Sequence, residues 1–252
     1  APMLAQLDAL AVQSGVEAER FLELGASAER VSVTGSIKFD LQVDQQLHQH
    51  AAEIRTGWQP AQRPVWIAAS THEGEDEQIL QAHARVLQQL PQALLILVPR
   101  HPERFDQVFQ LCRDSGMHTL RRSHSLALEA GHQVLLGDSM GEMMLYYAMS
   151  DLAFVGGSLV AHGGHNVLEP IALGKPVLTG PHYFNFLDIV GQLQQANALR
   201  EVDSSQALAD SLLQLWCEPE RSRAMQAAGQ QVLQDNQGAL QRLRAVIASL
   251  LQ

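Results

Sequence analysis

The sequence predicts an α/β protein built on a Rossmann-like, doubly wound parallel sheet. Short apolar runs alternate with segments of helical periodicity along most of the 252 residues, which is the pattern of repeated strand–helix units. Hydrophobic residues make up 46% of the chain and charged residues 17%, a composition typical of a folded globular protein. Alternation of this kind places helices on both faces of a parallel sheet.

Five apolar segments are predicted to form the strands of this sheet. They are VWIAA at 65–69, ALLILV at 93–98, QVLL at 133–136, DLAFV at 151–155 and PVL at 176–178. A helical pattern follows each of them; after the first strand, Ile79, His83 and Val86 fall on one helical face. From residue 204 onwards only helical patterns remain, with breaks near Pro219 and at 236–238.

The first forty residues do not belong naturally to this sheet. They predict a strand, a helix and a second strand, followed by a polar helix at 44–57 and a segment of linker character at 56–64. We therefore predict that residues 1–40 are the remnant of a preceding domain, 41–62 an interdomain connector, and 63–252 the Rossmann-like domain. Its last helices can pack back on the N-terminal part. Without their parent sheet, the first residues would expose apolar surface, which favours self-association.

The charge and the missing motifs exclude several function classes. A net charge of −10 argues against a nucleic-acid partner, since binding a long phosphate backbone needs clustered lysine and arginine. No apolar run approaches the ~20 residues that span a bilayer, and the first residues lack the positive region of a signal peptide. Neither G-x-G-x-x-G nor a Walker A motif occurs, and Asp-x-Asp and H-E-x-x-H are also missing. We therefore expect no metal and no cofactor, and we interpret Cys112 and Cys217 as reduced core thiols.

Polar and glycine residues follow all five predicted strands. In an open parallel sheet, a ligand binds beyond the carboxyl ends of the strands, where the strand order reverses. The segments at these ends are ASTHEGE at 69–75, PRHPER at 99–104, GDSMGE at 137–142, the glycine-rich run at 156–170 and TGPHYFNF at 179–186. We therefore expect a binding crevice at this edge of the sheet.

The glycine-rich run combines a backbone that a ligand can approach closely with side chains that form hydrogen bonds. Gly163 and Gly164 can bring backbone N–H groups against an anion, and His165 and Asn166 would open the following helix. Asn166 is equally well explained as a helix N-cap. Glu169 lies among apolar residues one turn into that helix, where a carboxylate needs a partner. It could accept both hydroxyls of a ribose, and a structural role is the alternative.

Other candidates also have two explanations. Arg100 directly follows a buried strand and can meet a phosphate or carboxylate, but it could equally be a surface residue in a turn. Residues 70–72 can bind a ligand or cap the helix that starts near Gly74. Asp138 and Ser139 look like N-caps, and for Asp138 we favour the cap.

Residues 154–189, FVGGSLVAHGGHNVLEPIALGKPVLTGPHYFNFLDI, resemble part of the bacterial 3-deoxy-D-manno-octulosonic acid (Kdo) transferases. The segments ASTHEGE, ILVPRHPERF and VLLGDSMGEM agree with that family in order and spacing, and VTGSIKFD at 33–40 is similar to its passage between two domains. The resemblance covers essentially the whole chain. Ala161 and His162 depart from the Glu–Arg pair expected there, in a loop that leaves the ligand motif intact.

The resemblance implies the C-terminal half of a two-domain glycosyltransferase of the GT-B type, which transfers Kdo from CMP-Kdo to a lipid A precursor with inversion at the anomeric carbon. By position, nine residues would bind the CMP-Kdo donor: Ser70, Arg100, His101, Gly141, Glu142, Gly164, His165, Asn166 and Glu169. The resemblance thus implies that the Glu169 carboxylate binds the ribose. The helix start at 164–166 would stabilise the departing CMP phosphate.

The same resemblance assigns the general base and most of the acceptor site to an N-terminal domain that contacts the membrane. This chain would contain only the end of that domain. The full-length protein is then expected at the cytoplasmic face of the inner membrane, with this chain alone soluble. Two alternatives stay open. One is a glycosyltransferase of the same fold that uses a UDP-sugar, and the other is a nucleotide-binding module without catalysis.

We predict that this chain by itself binds CMP or CMP-Kdo weakly and transfers no Kdo, because the general base is expected outside it. A transfer assay with the isolated chain, CMP-Kdo and a lipid A precursor measures this. Formation of the Kdo-bearing product would contradict the prediction.

Overall fold

The computed structural model describes residues 3–125 and 127–251 of the chain. The strands are β1 Leu10–Val12, β2 Val31–Val33, β3 Val65–Thr71, β4 Leu94–Pro99, β5 Thr119–Arg121, β6 Val134–Leu136, β7 Leu152–Val155, β8 Val177–Thr179 and β9 Leu199–Glu201. The α-helices are α1 Gly15–Glu23, α2 Gln45–Thr56, α3 Asp76–Gln89, α4 Phe105–Asp114, α5 Met143–Ala148, α6 Leu168–Ala172, α7 Leu187–Gln195, α8 Ser205–Cys217, α9 Pro219–Asn236 and α10 Ala239–Leu250.

The chain forms two compact units. One runs to Gln42 and resumes at Leu233, so it contains both ends of the described chain; the other is Val43–Val232. The larger unit thus includes the segment that the sequence predicts to be a connector. Residues 56–64 do not form an exposed linker, because the side chains of Trp58 and Arg63 are buried. The Arg63 guanidinium is held by the carbonyls of Gln92 and His132.

The larger unit is built on a seven-stranded sheet in which every pairing is parallel, as the fold prediction requires. The strand order is β5-β6-β4-β3-β7-β8-β9. The chain therefore moves outward from β3 through β4 to β6, and then returns to the other side of β3 with β7. The strand order reverses between β3 and β7, which is where such sheets bind ligands.

The central strands are apolar throughout because helices cover both faces of the sheet. In β3, Trp66 and Ala68 pack into the core on one face, while Val65 and Ile67 pack into the core on the other. The five predicted strands are all present, within one or two residues at their ends. The structure adds β5 and β9 at the two edges of the sheet, which the sequence does not reveal because each is only three residues long and contains an arginine.

The smaller unit contains the two-stranded parallel sheet β1–β2, helix α1 and helix α10. Asp40 fixes the start of α10, since its carboxylate accepts the backbone N–H groups of Gly238 and Leu240, both at 2.6 Å. Large apolar side chains are exposed in this unit, among them Val16, Leu24, Val33, Ile37, Leu250 and Leu251. The expected self-association stays a prediction.

The two cysteines differ in burial. Cys112 is buried on α4, as expected, and both thiols are free. Cys217 is exposed, so its assignment to the core was wrong. It is the last residue of α8, where the buried face of the helix has already ended at Leu215. Within the described residues, no helix combines the length and hydropathy that crossing a membrane requires.

Helix α3 carries a buried histidine that should make stability depend on pH. Trp66 Nε1 donates to His83 Nδ1 at 3.1 Å, so Nε2 carries the proton that is donated to the Gln133 carbonyl at 2.9 Å. Burial lowers the pKa of His83 from 6.5 to about 4. Between pH 4 and pH 6.5, His83 therefore binds a proton in the unfolded chain but not in the folded chain. Because of this difference, the free energy of unfolding falls as the pH drops below 6.5.

We predict that acidification from pH 7.5 to pH 5 costs the native protein about 2 kcal/mol of unfolding free energy through His83 alone. Urea unfolding of the wild type and of His83→Gln at both pH values measures this. The glutamine variant is less stable at pH 7.5, but its loss on acidification should be smaller by that amount. An equal loss in both proteins would contradict the assignment.

Candidate functional site

A cleft of about 350 Å³ opens at the carboxyl ends of the central strands. It contains six of the nine predicted ligand-binding residues: Ser70, Arg100, Gly141, His165, Asn166 and Glu169. These residues come from four of the five strand exits, and the parallel topology brings them together as expected. The remaining three, His101, Glu142 and Gly164, do not line the cleft.

The cleft is lined by two chemically different kinds of side chain. The polar ones, here called the polar wall, are Ser70, Arg100, Ser139, His165, Asn166 and Glu169. The apolar and aromatic ones are Val98, Pro99, Met140, Met143, Tyr146, Tyr147 and Phe186. Such a division suits a ligand that has a flat, weakly polar part and a charged, hydroxylated part.

The two loops on either side of the switch point are joined by the buried carboxylate of Glu75. Its Oε2 accepts the N–H groups of His72 at 2.9 Å and Gly157 at 2.7 Å. Its Oε1 accepts those of Ser158 and Leu159, both at 2.9 Å. One carboxylate thus receives four backbone hydrogen bonds, which ties the exit of β3 to the exit of β7. In sequence, Glu75 looks like part of a charged run at a helix start, and nothing there signals this role.

Ser70 occupies a strained position at the end of β3. Its φ of 56° is in the left-handed region, which is uncommon for a residue with a side chain. The register of β3 against β4 shifts here, between Ala69 and Thr71. Gly156 packs directly against this bend, since an added Cβ would lie 2.9 Å from the Ser70 carbonyl oxygen. Ser70 does not cap α3 but lines the cleft, and its role in binding a ligand stays a prediction.

Glu169 and Asn166 are coupled on the polar wall. The Asn166 side chain accepts the N–H of Leu168 at 3.1 Å and donates its Nδ2 to Glu169 Oε1 at 3.2 Å. Burial raises the pKa of Glu169, and the amide bond and Arg100 oppose that shift. Helix α6 begins at Leu168 and not at His165 as predicted, so His165 and Asn166 lie in the preceding loop. Asn166 therefore combines a turn-stabilising bond with a place on the cleft wall.

The glycines of this run serve packing and not anion binding at the predicted amide. The N–H of Gly164 donates to the Gly157 carbonyl at 2.8 Å, so the prediction that it faces a phosphate was wrong. Gly163 has a φ of 92°, and an added Cβ would lie 2.3 Å from Asn185 Nδ2. Glycine is therefore required here because the loop after β8 approaches the backbone closely.

The third strand exit is held by ion pairs. Asp138 does not cap α5, contrary to the prediction; its carboxylate accepts the Ser123 N–H at 2.8 Å and Arg121 Nε at 2.6 Å. Glu142 pairs with Arg122 at 2.8 Å and also accepts the Ser139 hydroxyl. Glu142 thus positions the loop around Gly141.

Residues 137–141 also match the pattern G-x-S-x-G of a nucleophilic serine. The Ser139 hydroxyl is bonded to Glu142 and to the Tyr146 hydroxyl, at 2.5 Å for the latter. No histidine is among these partners. The arrangement is therefore not that of an activated serine nucleophile.

Four histidines gather beside the polar wall. The Nε2 atoms of His72 and His165 share a hydrogen bond of 2.8 Å. His72 also stacks on His162 with ring centroids 4.1 Å apart and meets the edge of His101 at 5.4 Å. In the part of the chain that the structure describes, no group of three or more His, Cys, Asp or Glu side chains is arranged to hold a metal ion.

Comparison with known proteins identifies the family. The family model described as "Glycosyl transferases group 1" matches residues 71–232, and the one described as "3-Deoxy-D-manno-octulosonic-acid transferase (kdotransferase)" matches residues 1–41. The C-terminal CMP-Kdo binding domain of WaaA from Acinetobacter baumannii is 42% identical with a TM-score of 0.73, over 76% of this chain and 100% of that domain. The chain belongs to the Kdo transferases. The predicted family and the parallel α/β fold are thereby confirmed.

The chain spans somewhat more than half the length of the curated relatives that it matches. The Kdo transferase of Haemophilus influenzae is 45% identical over 99% of this chain and 58% of its own length. That of Bordetella pertussis is 39% identical over 95% of this chain and 56% of its own length. Anabaena HepE, solved with UDP-glucose, is 14% identical with a TM-score of 0.60 over 96% of this chain and 63% of that one, and shares the fold alone.

We predict that Glu75→Gln lowers the unfolding free energy of this Kdo transferase chain by about 2–4 kcal/mol. The amide retains one acceptor oxygen, and its NH₂ group faces two of the four backbone donors, which are left without partners. Urea unfolding at pH 7.5 measures the loss. Glu77→Gln, at an exposed position on the same helix, is the matched control and should stay within about 0.5 kcal/mol of the wild type.

Proposed function

We propose that the cleft binds the CMP part of CMP-Kdo and that the chain is the donor half of a Kdo transferase. The whole protein would move Kdo to a lipid A precursor, with inversion at the anomeric carbon. The observation that carries the proposal is that Arg100, Asn166 and Glu169 line the same cleft together with apolar and aromatic side chains, with Asn166 bonded to Glu169. The similarity to the WaaA CMP-Kdo binding domain supports it.

Each part of CMP has a complementary surface in this proposal. Glu169 lines the cleft, and among the described residues Asn166 is the one side chain that bonds its carboxylate, so that carboxylate can accept the two ribose hydroxyls. The cytosine ring would lie against Met140, Met143 and Phe186. Arg100 is exposed at the mouth of the cleft and supplies the positive charge for the phosphate.

The remaining donor residues are proposed in supporting positions. Glu142 would hold the loop that presents Gly141, through its bonds to Arg122 and Ser139. His101 lies outside the cleft and meets the ring of His72, which in turn is bonded to the cleft residue His165. No residue of this chain is proposed as the general base. That group, the lipid A precursor site and the membrane contact are proposed to belong to a preceding domain of the whole protein.

The proposed bond between the Glu169 carboxylate and the ribose gives the sharpest test. If it forms, the affinity for the nucleotide depends on the ribose 2′-hydroxyl. Because the cleft is proposed to select the base, the wild-type protein should bind CMP about 10–100-fold more tightly than it binds UMP or AMP. It should also bind CMP more tightly than dCMP, which lacks the 2′-hydroxyl. Glu169→Ala should weaken CMP binding about 10–100-fold and bind CMP and dCMP equally. Calorimetric titration at pH 7.5 measures all of these affinities.

Glu53→Ala, at an exposed position on α2, is the control and should bind as the wild type does. Equal affinity of the wild type for CMP, UMP and AMP would contradict the proposed donor and favour a cleft without base selection. An unchanged preference for CMP over dCMP in Glu169→Ala would show that the ribose is bound elsewhere.

A further inference from the structure

The four imidazoles of His72, His101, His162 and His165 form a continuous group, here called the histidine group. His72 is its centre, because it contacts all three of the others. The rings of His72 and His165 are nearly parallel, with centroids 5.1 Å apart. The group reaches from the cleft, which His165 lines, to the protein surface, where His162 is exposed.

The acidic groups around the histidine group already have partners. The Glu75 carboxylate is surrounded by four backbone N–H donors. Asp76 pairs with Arg104 and accepts the Thr71 hydroxyl at 2.6 Å. Glu103 lies 4.0 Å from His101 and is exposed, so its effect is screened by water.

The basic groups next to the histidine group add positive potential. Arg100 lines the cleft beside His165, and Arg104 approaches from the same segment to bond the Thr71 carbonyl at 2.9 Å. Burial is the largest cause that lowers the pKa of both His72 and His165 to about 4, and the neighbouring histidines and arginines contribute to that shift. Both rings are therefore neutral at pH 7 in the free protein.

We propose that the histidine group is an oxyanion subsite that takes up a proton together with the anionic part of the ligand. This inference rests on the proposed function and extends it to residues His72 and His162. A phosphate and a carboxylate share the chemistry that imidazolium recognises, and CMP-Kdo offers both. An oxyanion at His165 offsets the repulsion within the group, so one ring becomes protonated and donates a charge-assisted hydrogen bond.

The proposal fixes the direction of the pH effect. Since the complex holds more protons than the free protein and ligand, affinity rises as pH falls from 8 to 6. Two other groups titrate with binding: Glu169, whose raised pKa acts in the opposite direction, and the phosphate of CMP, a monoester whose second pKa is about 6. Their contributions are common to all variants that retain Glu169, so the comparison between variants isolates the histidine group.

Calorimetric titration of the full chain in two buffers of different ionisation enthalpy counts the protons taken up. At pH 6 we expect wild-type protein to take up a measurable fraction of a proton with CMP or with CMP-Kdo, and none with cytidine, which carries no anion. Uptake with CMP identifies the phosphate as the bound group. Uptake with CMP-Kdo but not with CMP identifies the carboxylate.

His72→Gln retains a hydrogen-bonding amide next to His165 and removes the central imidazole. We expect it to bind the active probe about tenfold more weakly than the wild type at pH 6, and within about twofold at pH 8. His118→Gln is the matched control, since His118 stacks on His132 with centroids 4.7 Å apart at the opposite, amino end of the strands. It should retain the wild-type proton uptake.

A second variant keeps the proposal testable if His72→Gln folds poorly. His162→Arg places a permanent positive charge at an exposed position of the group. Its affinity should exceed that of the wild type at pH 8 and change less between pH 8 and pH 6. The proposal is overturned if CMP binds selectively but neither CMP nor CMP-Kdo causes proton uptake, and if the pH dependence of binding is equal in all variants. Absence of selective CMP binding in the wild type would instead contradict the proposed function.

Discussion

The site depends on a single buried carboxylate. Glu75 accepts four backbone hydrogen bonds from two loops that are more than eighty residues apart in sequence. Without that carboxylate, the N–H groups of Gly157, Ser158 and Leu159 would be left in a region closed to water, at about 1–3 kcal/mol for each. The crevice between β3 and β7 is therefore formed by folding and not by the ligand. Helix α3, which starts next to Glu75, fixes the carboxylate to the sheet.

This arrangement also decides how an anion can be bound. In many sheets of this kind, the glycine-rich loop after a strand offers its N–H groups to a phosphate. Here Gly156 donates to Ala69, residues 157–159 donate to Glu75, and Gly164 donates to Gly157. Helix α6 has only five residues, so its dipole is weak. These backbone donors are engaged within the protein, and Arg100 and His165 are side chains at the cleft that can carry positive charge.

The sequence predicts the fold well because the signal is local. Each central strand is an apolar run, and the parallel order places all the polar exits at one edge, so six of nine candidate residues meet in the cleft. Edge strands β5 and β9 carry no such signal, since neither is buried on both faces. The sequence did not predict the hydrogen-bonding roles of Glu75, Asp138 and Gly164 for a different reason. Their partners depend on the conformation of the loops that follow the strands, and residue type alone does not indicate that conformation.

Stability and affinity are coupled at the switch point. Ser70 holds a left-handed backbone conformation that costs of order 1 kcal/mol, and it does so next to Gly156, whose neighbours are fixed by Glu75. The bonds that offset this strain also hold together the two loops beside the proposed binding cleft. If they weaken, the fraction of molecules with a formed cleft falls, and the apparent dissociation constant rises in inverse proportion. A residue that never touches the ligand can thus control affinity, through the population of the competent crevice.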